Sequence, residues 1–311
     1  MATTTSETQA PGARPGTARG RESKRYAAAG YAFIAPFMIV FTAMILVPLA
    51  YAAYTSLFRE QIIGGSVFVG FENYSRAFTD PQLLEGIGRV ALFFLIQVPI
   101  MLAVALFIAL ALDSGLMRLS KFVRIGVFMP YAVPSVVAAL MWGFLYGPDF
   151  GPFAQLAEMI GAAAPDFLAS NVMLGSLANI VFWEFTGYNM VILYAALRSV
   201  PTELYEAAAV DGAGPWRTAW SIKIPSLRPA LMLCMVFSII GSFQLFNEPK
   251  LLQALAPNVI DNAYTPNLYA YNLAFVGQEY NYAAAVSFIL GLVIFVGSYL
   301  FMYLSTRRSR S

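Results

Sequence analysis

Six stretches of this chain, at roughly residues 31–54, 90–112, 125–146, 172–197, 231–248 and 283–304, stay apolar for long enough to cross the ~30 Å hydrocarbon layer of a bilayer as helices. Hydrocarbon offers backbone polar groups no partner, so a lipid-exposed segment must satisfy them internally. The composition agrees, with 59% hydrophobic and only 12% charged residues, far below the quarter or so charged residues of a soluble domain. The expectation is an all-α integral membrane protein with six transmembrane helices over residues 29–305. Pro36, Pro48, Pro99, Pro130 and Pro134 fall inside these stretches. Neighbouring helices can satisfy the carbonyls that prolines free, so kinks are expected and breaks are not required.

The basic residues set an orientation. Arg14, Arg19, Arg21, Lys24 and Arg25 precede the first span, Arg118, Lys121 and Arg124 occupy the second loop, Arg198, Arg217, Lys223 and Arg228 the fourth, and Arg307, Arg308 and Arg310 the end. These are 15 of the 19 Lys and Arg. The odd-numbered loops hold only Arg59, Arg76, Arg89 and Lys250, and the third carries Asp149, Glu158 and Asp166 instead. Both termini and the fourth loop are therefore expected in the cytoplasm. Residues 1–28 are rich in Thr, Ala, Gly, Pro and Arg and read as a disordered basic cytoplasmic tail, with residues 306–311 as a second basic tail. A cleaved signal is not expected, because the first apolar run exceeds the about 7 to 15 residues of a signal core.

Several chemistries have no residues to carry them. There is no phosphate loop of the G-x-x-x-x-G-K-[ST] type, no His, and a single cysteine, Cys234, read as a small packing residue. The chain is therefore not expected to be an enzyme, to bind a metal or cofactor, or to have a nucleic-acid partner. No inverted repeat and no ladder of buried acids favours a secondary transporter.

The fourth loop, about residues 198–229, is unusual. Its core reads EAAAVDGAGPWRTAWSIKIP from Glu206 to Pro225. Pro201 suits a helical first turn and Glu203 its N-terminal dipole, while Leu204, Ala207, Ala208 and Asp211 share one face by their i, i+3, i+4, i+7 spacing. Gly212 suits the left-handed end of that helix and Pro215 the start of a second carrying Trp216, Ala219 and Trp220. The spacing thus predicts a helix-turn-helix elbow. Small residues at Ala207 and Ala208 would let another protein approach closely, and Glu206 would be open to a basic or amide partner.

This pattern, with EAA at 206–208, Gly212, and Ile222, Ile224 and Pro225, resembles the cytoplasmic coupling loop of permease subunits in bacterial ABC importers, with Ile224 standing where the pattern has Leu. The likeness extends to FVGFENYSRAFTD (68–80), FMPYAVPSVVAALMW (128–142), GYNMVILYAALRSVPTELYEAAAVDGA (187–213), IGSFQLFNE (240–248) and YAAAVSFIL (282–290). It is similar to the carbohydrate-uptake, maltose-type permeases. The resemblance implies alternating access in a bacterial cytoplasmic membrane, driven by two ATP-binding cassette subunits that hold ATP and Mg. It also implies a second homologous permease and an extracellular solute-binding lipoprotein that delivers a sugar, of di- or oligosaccharide size. Glu206, Ala207, Ala208, Asp211, Gly212, Ile222 and Pro225 would be the coupling residues. Other solutes, such as a polyol or glycerol phosphate, and a non-transporting scaffold or sensor for an ATPase, are the competing readings.

Polar groups inside spans mark where a solute would pass. Glu184, roughly 21 Å from Arg198 at about 1.5 Å per residue, lies in the outer half of the fourth span. Tyr188 follows at i+4, with Trp183 and Phe185 nearby. A carboxylate with an aromatic face suits a sugar's hydroxyls and C–H surface, while an interhelical hydrogen bond is the competing role for Glu184. On the fifth span Ser238, Gly241, Ser242 and Leu245 share a face, with Gln244 and Asn247 close to it. The resemblance places Glu184, Tyr188, Ser238 and Ser242 at positions matching the maltose-type sugar site, though several side chains differ there.

The charge pattern makes a direct prediction. A reporter active only outside the cytoplasm will be active when fused after Asp166 and silent after Asp211. The reverse result overturns the orientation.

Overall fold

The computed structural model describes residues 30–61, 63–115 and 118–307. The expected tail at 1–28, and all but Thr306 and Arg307 of the second one, lie outside the described residues. Two units emerge, one ending at Tyr54 and the other running from Thr55.

The first unit is a single apolar helix, α1, which spans Gly30–Thr55 and so runs one residue into the second unit. Pro48 lacks the N–H its turn needs, and ahead of it the helix widens into a π-turn at Thr42–Leu46, where Val47 N–H reaches back to Thr42.

The second unit opens with an antiparallel hairpin, β1 (Phe58–Gln61) and β2 (Gly65–Phe68), paired with Phe58 opposite Phe68. Gly64 and Gly65 take φ of +110° and +77°, which only glycine adopts without strain. Neither this hairpin nor the short helix that follows it is expected from hydrophobic periodicity. Helix α2 (Glu72–Thr79) is fastened to the hairpin by buried Asn73, whose amide donates to the carbonyls of Ser56 (2.8 Å) and Phe58 (2.7 Å).

Helix α3 (Pro81–Asp113) starts nine residues before the expected span because Asp80 caps it, accepting from the N–H groups of Gln82 and Leu83, with Pro81 in the first turn. At 33 residues it is about 50 Å long and protrudes from the hydrocarbon. The same Asp80 carboxylate accepts from Tyr269 (2.7 Å) and Tyr282 (2.6 Å), drawing three distant segments together. Burial pushes that carboxyl up, but these hydrogen bonds outweigh it and hold it below its usual range. Arg76 adds a 2.9 Å ion pair to Glu279 and lies over the Tyr282 ring.

The third apolar stretch departs most from expectation. Helix α4 (Ser120–Phe128) tightens into a 3₁₀ turn at Met129–Ala132, stops, and α5 (Ser135–Tyr146) leaves at 96°. Val133 is extended (φ −79°, ψ 128°) because the ring of Pro134 excludes the helical conformation from the residue before it. A break, and not a kink, is thus the outcome here. Loop helix α6 (Pro152–Met159) follows, then α7 (Met173–Arg198), close to its expected bounds. Gly187 of α7 faces the backbone of Val127 and Phe128, so closely that a β-carbon would overlap the Val127 carbonyl.

The fourth loop folds as α8 (Thr202–Val210) and a second helix, α9, that begins at Pro215–Thr218, passes through a π-turn at Ala219–Lys223 and ends in Ile224–Ser226. Pro201 precedes α8 as its extended cap instead of entering the first turn. The fifth span is also interrupted. Helix α10 (Arg228–Phe243) stops, and α11 (Asn247–Leu252) resumes after three non-helical residues. The freed carbonyls of Gln244 and Leu245 accept from Asn267 (3.3 Å) and Thr265 (2.9 Å) at the start of α12 (Pro266–Phe275). The last helix, α13 (Tyr280–Arg307), is longer at both ends than the expected 283–304. Among the described residues five helices are long and apolar enough to span, six with the bent α4–α5 pair.

The apolar core lies in three clusters. One gathers Met101, Ala105, Met190, Leu193, Leu227 and Cys234 between α3, α7 and α10. A second centres on Phe93, Leu177, Ile180, Leu252 and Leu268, and a third on Leu83, Tyr269, Tyr282 and Val286. The close approach at Gly187 generates a prediction: Gly187→Ala will destabilise the detergent-solubilised protein by about 1–3 kcal/mol through overpacking. Gly175→Ala, where no atom lies within 4 Å of the added carbon, will not lower the thermal midpoint and will raise it slightly, because alanine favours a helix over glycine.

Candidate functional site

The two interrupted spans meet. Asn247, the first residue of α11, donates to Ser135 Oγ at the start of α5 (2.8 Å), and the space beside this link is a cavity of about 350 Å³. That is within the range of small-molecule sites. Helix α3 contributes Phe93, Gln97 and Met101, α7 contributes Phe185, Tyr188 and Asn189, α10 with the following break contributes Ser238, Ser242 and Gln244, and α11 contributes Glu248. Tyr131, from the 3₁₀ turn before the first break, stacks on Tyr188 with ring centroids 4.7 Å apart and meets Phe185 edge-on.

Of the five substrate-path residues expected from the sequence, the cavity brings together Tyr188, Ser238, Ser242 and Gln244. Glu184 is not among its lining residues. It is 3% exposed, and both carboxylate oxygens lack a hydrogen-bond partner among the described residues, so the interhelical hydrogen bond considered for it is not formed either. The helical turn that presents Phe185, Tyr188 and Asn189 to the cavity turns Glu184 into the protein. Residues the sequence reading passed over include Gln97, Tyr131, Asn189 and Glu248. Gln97 and Asn189, 3% exposed each, carried a usable signal as amides within apolar spans. Tyr131 and Glu248 did not, because their positions depend on where the helices break.

The elbow forms a separate candidate surface. Gly212 has φ +75°, and Ala213 N–H bonds the Ala208 carbonyl at 2.8 Å while Gly212 N–H bonds that of Ala209, closing α8 with a left-handed glycine as its spacing predicts. The expected common face is corrected in one respect. Ala208 is buried within this chain, whereas Leu204, Ala207 and Asp211 are exposed, so Ala207 alone of the two alanines is available to a partner. Glu206 is exposed, Ile222 and Pro225 are half-buried, and Trp216 and Trp220 stand exposed as an edge-on pair. The elbow is pinned from behind. Lys223 of α9 makes a 2.6 Å ion pair with Asp113 at the end of α3, and both side chains are largely buried. Lys223 Nζ also lies 5.1 Å from the ring of Tyr205 on α8, so one ammonium joins both elbow helices to a span. Burial, with the Asp113 charge, holds the Tyr205 phenol above its usual range.

Polar side chains gathered around helix breaks in an otherwise apolar, multi-span chain define a membrane protein that handles a solute within the bilayer. The chain belongs to the family of binding-protein-dependent transport system inner membrane components, whose model matches residues 101–310. It is thus a transport component, a permease subunit of the ABC importer type. It is 29% identical over 301 residues to the lactose transport system permease protein LacF of Rhizobium radiobacter, covering 94% of this chain and 99% of that protein. It is 30% identical over 280 residues to the sn-glycerol-3-phosphate transport system permease protein UgpA of Brucella abortus, covering 89% and 94%. The fold matches a chain of a bacterial alginate ABC transporter, crystallised with its alginate pentasaccharide-bound periplasmic protein, at a TM-score of 0.80 and 20% identity, over 93% of this chain and 98% of that one.

The buried ion pair supplies a test. Asp113→Ala strands the Lys223 ammonium and will cost about 2 kcal/mol of thermal stability, discounted from the fully buried case for the partial exposure of Lys223. Asp113→Leu combined with Lys223→Met will regain most of it.

Proposed function

We propose that this chain is one of two homologous permease subunits of an importer that moves a saccharide of about disaccharide size across a bacterial cytoplasmic membrane. The observation that carries the reading is the cavity between the two broken spans, where the stacked Tyr131–Tyr188 pair offers an aromatic face. Ser238, Ser242, Gln244 and Asn189 supply neutral hydrogen-bonding groups around it. Glycerol phosphate, which a relative is named for carrying, is the weaker reading: no Lys or Arg is among the lining residues.

The energy comes from outside the chain. Two ATP-binding cassette subunits hold ATP and Mg and grip the elbow from the cytoplasm, where the basic-residue pattern puts it together with both termini. Glu206 is free to meet a basic or amide group, and Ala207, Val210, Trp216 and Trp220 present an exposed apolar surface beside it. Asp211, Gly212, Ile222 and Pro225 shape that surface by ending α8 and carrying α9. The Lys223–Asp113 pair is the link by which movement of the elbow reaches α3, which begins to line the cavity at Met101, about 18 Å along the helix from Asp113. On the opposite side an external solute-binding lipoprotein delivers the sugar. Alternating access then amounts to the cavity facing the two sides in turn.

Vesicles holding the full complex test this reading. Gly212→Pro and Glu206→Lys will leave the permease in the membrane but abolish the ATP hydrolysis that loaded binding protein stimulates, or release the ATPase subunits. Unchanged co-purification and stimulation in both variants would sink the coupling assignment. A complex that hydrolyses ATP yet takes up no sugar from any binding protein would favour a sensor.

A further inference from the structure

The electrostatics of the cavity narrow the class of sugar. Among the described residues that line it, Glu248 is the one side chain that is charged in its ordinary state near neutral pH, and it is 6% exposed. Glu184, on the α7 turn that presents Phe185 and Tyr188 to the cavity, is buried as well, and neither of its carboxylate oxygens is hydrogen-bonded among the described residues. The closest basic residue in sequence, Lys250, is directed elsewhere: its ammonium lies 3.4 Å from Gln253 Oε1 and 5.3 Å from the Tyr271 ring. The remaining polar lining groups are amides and hydroxyls.

An anion entering this space gives up its hydration and meets no cation in return, and an uncompensated charge in a water-poor site is among the most costly arrangements in proteins. Two carboxyl groups at or behind the wall only add to that cost when ionised, and when protonated they still supply no positive charge. A neutral sugar loses little, because its hydroxyls exchange water for Ser, Asn, Gln and carboxyl partners. An ammonium group gains a counter-charge.

We propose that the cavity admits neutral and amino saccharides and rejects uronates, phosphates and sulfates, with Glu248 as the specificity-determining residue. This rests on the reading of the cavity as the sugar path, and it separates this chain from relatives named for glycerol phosphate or sulfoquinovosyl glycerol.

The test uses the complete complex in nanodiscs without the binding protein, so that the binding protein's own choice does not decide the result. Equilibrium binding is measured for lactose, its 2-amino analogue and its 6-carboxylate analogue. Wild type is expected to bind the first two comparably and the carboxylate at least tenfold more weakly. Glu248→Gln will narrow that ratio by removing the like charge while leaving the anion without a cation, and Glu248→Lys, which supplies one, will invert it. Equal binding of all three by wild type, as a cation supplied by the second permease would produce, overturns the charge proposal alone. So does a ratio that Glu248→Gln and Glu248→Lys leave unmoved in assembled complexes. Binding of none of the three overturns the saccharide reading of the cavity, and the charge proposal falls with it.

Discussion

A peptide group in hydrocarbon has to find its hydrogen bond within the protein, and this requirement organises everything else in the second unit. Regular helices meet it without help. Where a helix breaks, as at Val133–Pro134 and at residues 244–246, the freed groups must be answered by other protein groups, which confines breaks to places where segments converge. The carbonyls of Gln244 and Leu245 are answered by Asn267 and Thr265, and the two breaks are linked by Asn247 and Ser135. The cavity sits at this convergence because irregular backbone leaves space that ideal helices would fill.

The same convergence concentrates polarity. Asparagine, glutamine and serine side chains that would be costly against lipid become affordable around a cavity, and an aromatic pair can stand in it without being packed flat against a neighbour. The elbow obeys a different rule. It is largely exposed, and a left-handed glycine and a proline suffice to turn the chain. Its orientation is held instead by a largely buried ion pair to the far end of α3. One helix thus touches the cavity with Phe93, Gln97 and Met101 and the elbow with Asp113, giving a continuous rigid element between the two candidate sites.

At the opposite end of α3, Asp80 plays a comparable part. It caps the helix and accepts from Tyr269 and Tyr282, so a single carboxylate sets the helix start and its lateral neighbours. Lys223–Asp113 and Asp80–Tyr269–Tyr282 join residues more than a hundred positions apart, which no local pattern announces.

What the sequence determined alone follows from period and composition. Apolar length specified the spans, and EAA with Gly212 and Pro215 specified an elbow closed by a left-handed residue. Tertiary structure decided the rest. Proline inside an apolar run signals either a tolerated kink or a break, and only the surroundings of Val133 and Pro134 select the break. Glu184 and Tyr188 share a helical face by spacing, yet 40° of rotation at i+4, on the helix's 3.6-residue turn, is enough for Tyr188 to line the cavity while Glu184 points into the protein. Ala207 and Ala208 likewise part company, one exposed and one buried, because periodicity defines a face but not which neighbour covers it. Glu248 became a cavity residue through the break before it, a consequence of contacts with α12 that lie about twenty residues further along the chain.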